Sequence, residues 1–190
     1  MRNEYEYIIA KKEDAQYVLE CMQKLSVELL GYNNVEREEK YIAGAIEDQD
    51  EIYIICKKNN EFVGFAGVAT YHIENGKRAD DTVGLITDIL VRKEYRGSEV
   101  AYTLLMMSIK QLIEHKKDSA IIVVQSTNPH RFLHYAICDK LISREQYTLD
   151  SGVTLTDEIL LIEDLNKVSK LSIMDIGKKA VLQRRKNKML

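Results

Sequence analysis

The chain has 190 residues, 45% hydrophobic and 30% charged, with nine Gly, one Pro and no Trp. That is one ordinary domain, long enough to bury roughly 70% of its unfolded surface without staples, and its composition excludes collagen-like, disulfide-scaffold and low-complexity classes. The formal charge of −3 is unevenly spread: residues 166–190 carry eight Lys/Arg against one acid, Asp175, and the remainder carries 19 basic and 29 acidic residues. An acidic body argues against a nucleic-acid-binding face there and leaves that question to the basic tail. No apolar run is long enough to span a bilayer, and the N-terminal MRNEYEYIIAKKED lacks the apolar stretch of a secretion signal. Cys21, Cys56 and Cys138 are odd in number and set in apolar surroundings, so they read as buried thiols of a cytoplasmic protein.

A short strand is predicted at Tyr5 to Ala10. Glu13 or Asp14 then caps a helix whose buried stripe is Ala15, Val18, Leu19, Met22, Leu25 and Leu29, ending near Gly31. Gly31 to Asn34 is a turn, and a second helix runs from Glu36 to Asp48 with Tyr41, Ile42, Ala45 and Ile46 inward. Ile52 to Cys56 and Phe62 to Tyr71 form a hairpin of strands, and Gly64 and Gly67 within the second signal a bulge or a close backbone approach. His72 to Asp81 reads as a polar loop and Val83 to Val91 as a strand. Ser98 to His115 is a helix with Ala101, Leu105, Ile109 and Leu112 on one face, Met106 and Met107 being packing residues. Ala120 to Val124 has the apolar content of a central strand. Ser126-Thr-Asn-Pro129 breaks it, a helix follows from His130 to Asp139, and strands at Ser143 to Leu149 and Val153 to Ile162 close the fold around an Asp150-Ser-Gly152 turn.

The informative segment is Leu85 to Leu105, LITDILVRKEYRGSEVAYTLL, in which a buried strand enters a helix through a short basic turn. Such a junction offers unpaired backbone N–H groups and the positive end of a helix dipole, which suits a phosphate. Arg96 adds charge, and Gly97 removes bulk. Together with the FVGFAGV strand before it and Asn128 and Tyr135 after it, this segment resembles the GNAT N-acetyltransferase superfamily over roughly residues 5 to 162. Val91, Tyr95, Arg96 and Gly97 match the family pattern and Ala101 is an accepted variant. Lys93 replaces a Pro, and Glu99 replaces a small Gly of the phosphate loop.

The resemblance implies a mixed, mostly antiparallel α/β sheet with flanking helices, and acetyl-coenzyme A as co-substrate. Its binding residues would be Ile89, Leu90 and Val91 on the strand, Arg96, Gly97, Ser98, Glu99, Val100 and Ala101 at the helix start, and Asn128. The Ile89 amide would polarise the thioester carbonyl, a contact worth ~3 kcal/mol of barrier. Tyr135, seven residues after Asn128, would be the general acid for the departing thiolate. A primary amine, on a small molecule or a Lys-bearing peptide, would attack directly. The positions where relatives carry a base, Leu85 and Thr87, cannot take a proton, and strict alternation along a strand turns Asp88 to the opposite face.

His130 and His134 read as helix-surface residues, with no metal site. The domain is read as residues 1–165, with 166–190 a basic, helical extension: Ser172 to Asp175 resembles a capping box, and Ile173, Ile176, Ala180 and Val181 form a stripe. That stripe could cover the body, a second subunit or an acidic partner such as RNA, or remain solvated. The alternative to an enzyme is a GNAT-fold module that senses acyl-coenzyme A and acts on a partner through its tail.

Overall fold

The structure is a computed structural model, and it describes residues 5–30, 33, 35–74, 76–79, 82–128, 131–148, 152 and 154–187. The elements in chain order are β1 (Glu6–Ile9), α1 (Ala15–Leu30), α2 (Glu39–Glu47), β2 (Glu51–Lys58), β3 (Glu61–Ala69), β4 (His72–Glu74), β5 (Lys77–Ala79), β6 (Val83–Val91), α3 (Val100–Glu114), β7 (Ser119–Gln125), α4 (Arg131–Ile137), β8 (Lys140–Thr148), β9 (Thr154–Ile162), α5 (Leu165–Val168) and α6 (Ile173–Asn187). Seven strands make one sheet in the order β1-β2-β3-β6-β7-β9-β8. Every neighbouring pair is antiparallel except β6 and β7. This is the mixed, mostly antiparallel α/β architecture that the sequence predicts.

Several details depart from the sequence reading: α2 begins at Glu39 rather than Glu36, and Glu13 and Asp14 belong to a separate short turn before α1. His72 to Asp81 is not simply a loop, because β4 and β5 pair as a small separate hairpin that turns at Gly76 with φ +73°. Its six residues are mostly polar, so their alternation carries no core signal. β8 begins at Lys140, three residues before its predicted start. Tyr41 is half exposed rather than inward. Most of the predicted turn at residues 31–34 and of the turn at 150–152 lies outside the described residues, as do Pro129 and His130.

One face of the sheet is covered by α1 and α2, where Val18, Cys21 and Ile42 pack on Tyr53, Ile55 and Phe65. On the other face α3 and α4 bring Leu105, Ile109, Leu112 and Ile137 against Ile52, Val68, Ile86 and Ile122. The basic extension joins this second layer. Val168, Ile176 and Ala180 belong to the same buried cluster, the Tyr102 hydroxyl donates to the Leu171 carbonyl at 3.0 Å, and the Asp175 amide donates to Ser172 Oγ at 3.2 Å, as the capping-box pattern predicts.

Close packing of β3 on β6 explains the two strand glycines. A Cβ on Gly64 would lie 2.9 Å from the Leu90 carbonyl oxygen. One on Gly67 would lie 2.5 Å from Thr87 Oγ1, beside the irregularity in β6 described below.

Candidate active site

β6 and β7 run side by side only from Val83–Ser119 to Ile86–Ile122. Beyond Ile86 they part, while β6 stays paired to β3 as far as Val91. The Arg92 amide donates to Val63 O on β3 at 2.9 Å. Amides two residues apart on a strand point the same way, so Leu90 directs its N–H to β3, and Ile89 and Val91 direct theirs into the fork that β7 has left. The Leu90 side chain packs under α1 and α2, and Ile89 leans on the α3 layer.

At the end of this fork a single turn over Lys93–Tyr95 and an extended Arg96 lead to Gly97, whose φ is +84°. That backbone favours glycine, and a Cβ there would meet nothing within 4 Å. Glu99 is the N-cap of α3 and makes no side-chain cap bond; it is exposed. Ser98 closes the turn, its hydroxyl donating to Tyr95 O at 2.6 Å and accepting from the Val100 amide at 3.4 Å. Val100 is fully buried, so it offers the cleft only its backbone. The amides of Ala101 and Tyr102 fall in the first helical turn, where the helix supplies no acceptor. Arg96 is already engaged: Nε donates to Val91 O at 2.9 Å and Nη2 to Glu28 on α1 at 2.7 Å.

On the far side of the fork, Asn128 ends the turn after β7. Its amide donates to Gln125 O at 2.9 Å, and its carbonyl accepts the Arg131 amide at 3.1 Å. One turn further along α4, the Tyr135 hydroxyl meets the buried Glu158 carboxylate of β9 and the Arg144 guanidinium. Arg144 Nε donates to Glu158 at 3.1 Å. Burial, followed by the Glu158 contact, raises the phenol above its ordinary range, and Arg144 opposes the shift. Tyr135 is therefore held protonated.

The third wall was not legible in the sequence. Gly67 pairs with Asp88 and Val68 with Ile86, so Thr87 is an extra residue, a bulge. It resets the alternation. Ile86 faces α3, yet Asp88, opposite Gly67, shares the α1/α2 face with Leu85. This corrects the expectation that Asp88 points away. Asp88 is half-buried as a residue, and its carboxyl lies in the buried part. Burial pushes its pKa above the usual carboxylate range, against the opposing effects of a Thr87 hydrogen bond and the Arg37 charge, with Glu51 adding to the rise. Among the described residues no group of three His, Cys, Asp or Glu side chains is disposed to hold a metal, and no helix is long and apolar enough to cross a membrane.

The profile of the acetyltransferase (GNAT) family matches residues 18–134, a span that contains most of α1, β6, the basic turn, α3 and the first part of α4. The chain belongs to the GNAT acetyltransferase family. Its fold is similar to that of an N-acetyltransferase from Staphylococcus aureus Mu50, with 16% identity over 86% of this chain and 99% of that one and a TM-score of 0.67. It is also similar to yncA of Salmonella typhimurium, solved with its cofactor acetyl-CoA, at 14% identity over 87% and 96% of the two chains and a TM-score of 0.67. PaiA N-acetyltransferase from Thermoplasma acidophilum in complex with coenzyme A has 15% identity over 84% and 99%, with a TM-score of 0.51. No curated protein matches the sequence. As a GNAT member the chain is an acyltransferase.

Proposed function

We propose that the chain is an N-acetyltransferase that moves the acetyl group of acetyl-CoA to a primary amine by direct attack. The observation that carries this reading is the fork after Ile86 and Ile122, which leaves the Ile89 and Val91 amides directed into a gap that ends at the amino terminus of α3. The residues present fit an acyl-coenzyme A. Strand amides can pair with its pantetheine arm, and the open backbone at Gly97 with the first-turn amides of α3 suits its pyrophosphate. Two neighbours of the same fold are described with acetyl-CoA or coenzyme A.

Within this reading Ile89 donates its N–H to the carbonyl oxygen as charge develops there. Asp88 takes the proton that the amine loses when its nitrogen bonds the acetyl carbon. Its raised pKa fits a base that must capture a proton in water's presence. Tyr135, whose one hydroxyl hydrogen is directed to Glu158 before substrate binds, turns it to the sulfur as the carbon–sulfur bond breaks. A thiol titrates near ~8.5 and a phenol near ~10, and Tyr135 lies above that, so it acts chiefly by hydrogen bonding the thiolate. Residues 1–165 hold every group in this scheme. The extension supports α4 from behind, and its basic face remains available to an acidic partner or a second subunit.

The acceptor is a small-molecule or protein-borne primary amine, and the acidic body favours one that arrives as a cation. Turnover of acetyl-CoA against a panel of primary amines, followed by release of free thiol, tests the proposal. Tight cofactor binding with no thiol release from any amine would favour the sensing module instead.

A further inference from the structure

Glu51 is a buried carboxylate that acyl transfer does not call for. It is 3% exposed and is met by four donors. Arg37 Nη1 donates to Oε2 at 2.7 Å, and the Tyr53 hydroxyl bonds the same oxygen. Tyr41 and Tyr71 each donate to Oε1 at 3.1 Å. Arg37 Nη1 also donates to the Tyr53 oxygen at 2.7 Å. Burying a carboxylate whose Arg37 partner stays partly exposed is a poor device for stability, because Glu51 gives up its water. Its position points to another purpose.

Across the sheet, Tyr53 of β2, Gly67 of β3 and Asp88 of β6 lie directly opposite one another on one face, and Glu51, Ala69 and Leu85 make the next row. Residues in register share a face. The central members, Gly67 and Ala69, are the smallest side chains available, so side chains of β2 and β6 share the space above them. Asp88 Oδ2 reaches to 3.6 Å from where a Cβ on Gly67 would be. Arg37, in the segment that leads into α2, is within electrostatic reach of both carboxylates. Among the described residues, the groups that act on the Asp88 carboxyl are Arg37 before α2, Glu51 on β2 and the Thr87 hydroxyl beside it on β6, with Tyr53 in the same row of the sheet. Tyr53, Tyr41 and Tyr71 stand behind Glu51.

We propose that Glu51 is a positioning residue that holds the Arg37 guanidinium away from Asp88, so that Asp88 remains able to accept a proton. The inference rests on the reading of Asp88 as base. If Glu51 were neutral, Arg37 would turn to the remaining carboxylate, and a carboxylate paired to Arg is held ionised and becomes a weaker base. With Glu51 charged, two carboxylates and one guanidinium leave the cleft one negative charge in excess, which suits an ammonium group on arrival.

The test is a carbon-13 NMR titration of the Asp88 carboxyl in the full chain, in Glu51→Gln, in Arg37→Met and in the double variant. Glu51→Gln should lower the Asp88 midpoint by about one unit or more, and Arg37→Met should raise it. In the double variant the drop caused by Glu51→Gln should shrink to less than half. A drop of equal size with and without Arg37 would mean only the loss of a nearby charge, and it would overturn the proposal. An Asp88 midpoint that is unmoved in Arg37→Met would do the same. Glu51→Asp, which withdraws the carboxylate by one methylene, replaces Glu51→Gln if the latter does not fold, with a smaller drop expected. The titration reads no turnover, so it stands apart from the role of Asp88, which fails separately if Asp88→Asn keeps the full rate.

Discussion

The role proposed for Asp88 depends on its neighbour rather than on Asp88 itself. The bulge at Thr87 turns a carboxylate that alternation would send under α3 onto the face that α1 and α2 cover. The base form is the ionised one, so kcat/KM should fall on the acid side along a limb above the ordinary Asp value of about 3.9. Asp88→Asn should lower turnover by ~10²-fold or more, and it should remove that limb while acetyl-CoA affinity stays the same. The sign for stability is opposite. A carboxyl whose folded pKa is raised contributes most below its unfolded pKa, and that contribution is lost as pH rises through the folded value. Asp88→Asn should therefore leave Tm at pH 7 unchanged or raised, as a melting curve would show. Tyr135→Phe removes the hydroxyl that touches Glu158 and Arg144. It should reduce kcat by at least tenfold with little change in cofactor affinity, which steady-state rates and calorimetric titration would separate. An unaltered kcat would make Tyr135 a packing residue.

The elements most visible in the sequence are those with a repeating apolar pattern. β6 matches its predicted Val83–Val91 bounds and α3 lies within its predicted span, because a run of Ile, Leu and Val and a 3.6-residue stripe are both compositional signals. The bulge leaves no such trace: Leu85-Ile-Thr-Asp-Ile89 reads as ordinary alternation, and only pairing with Gly67 reveals the extra residue. Gly67 was the one available sign. The Glu51 cluster was equally hidden, since its members Arg37, Tyr41, Tyr53 and Tyr71 come from separate elements, although an acid at the edge of an apolar strand was a signal to follow. Gly64 gives a direct check on the β3–β6 approach. Gly64→Ala drives a Cβ onto the Leu90 carbonyl, and backbone cannot rotate aside. The cost should be about 1–3 kcal/mol, or roughly 2–10 °C in Tm for a chain of this size. The extension is a second check. Ile176 and Ala180 are buried against the α3/α4 layer, so deletion of residues 173–190 should lower Tm and increase binding of an apolar dye, whereas an unchanged Tm would make α6 an appendage.

At the scale of the molecule, a body near −10 must admit an anionic co-substrate, as the 29 acidic and 19 basic residues of 1–165 require. Local structure overcomes the mean field. At the turn that leads to Gly97, Arg92 is paired with Glu94 and Arg96 with Glu28, so the attraction for an anion comes from the first-turn amides and dipole of α3, with Lys93 beside them. Of the acids near this turn, Glu94 and Glu28 are held by Arg92 and Arg96, and Glu99, at the expected phosphate position, is exposed. The most direct test of this account is a titration of the nitrogen-15-labelled full chain with acetyl-CoA, read at the backbone amides. The amides of Ile89, Val91, Gly97, Ala101 and Tyr102 should shift together along one saturable curve, while that of Leu90, directed to β3, moves little. The absence of any saturable shift at millimolar acetyl-CoA, or a saturable shift confined to residues remote from the fork and the start of α3, would contradict it.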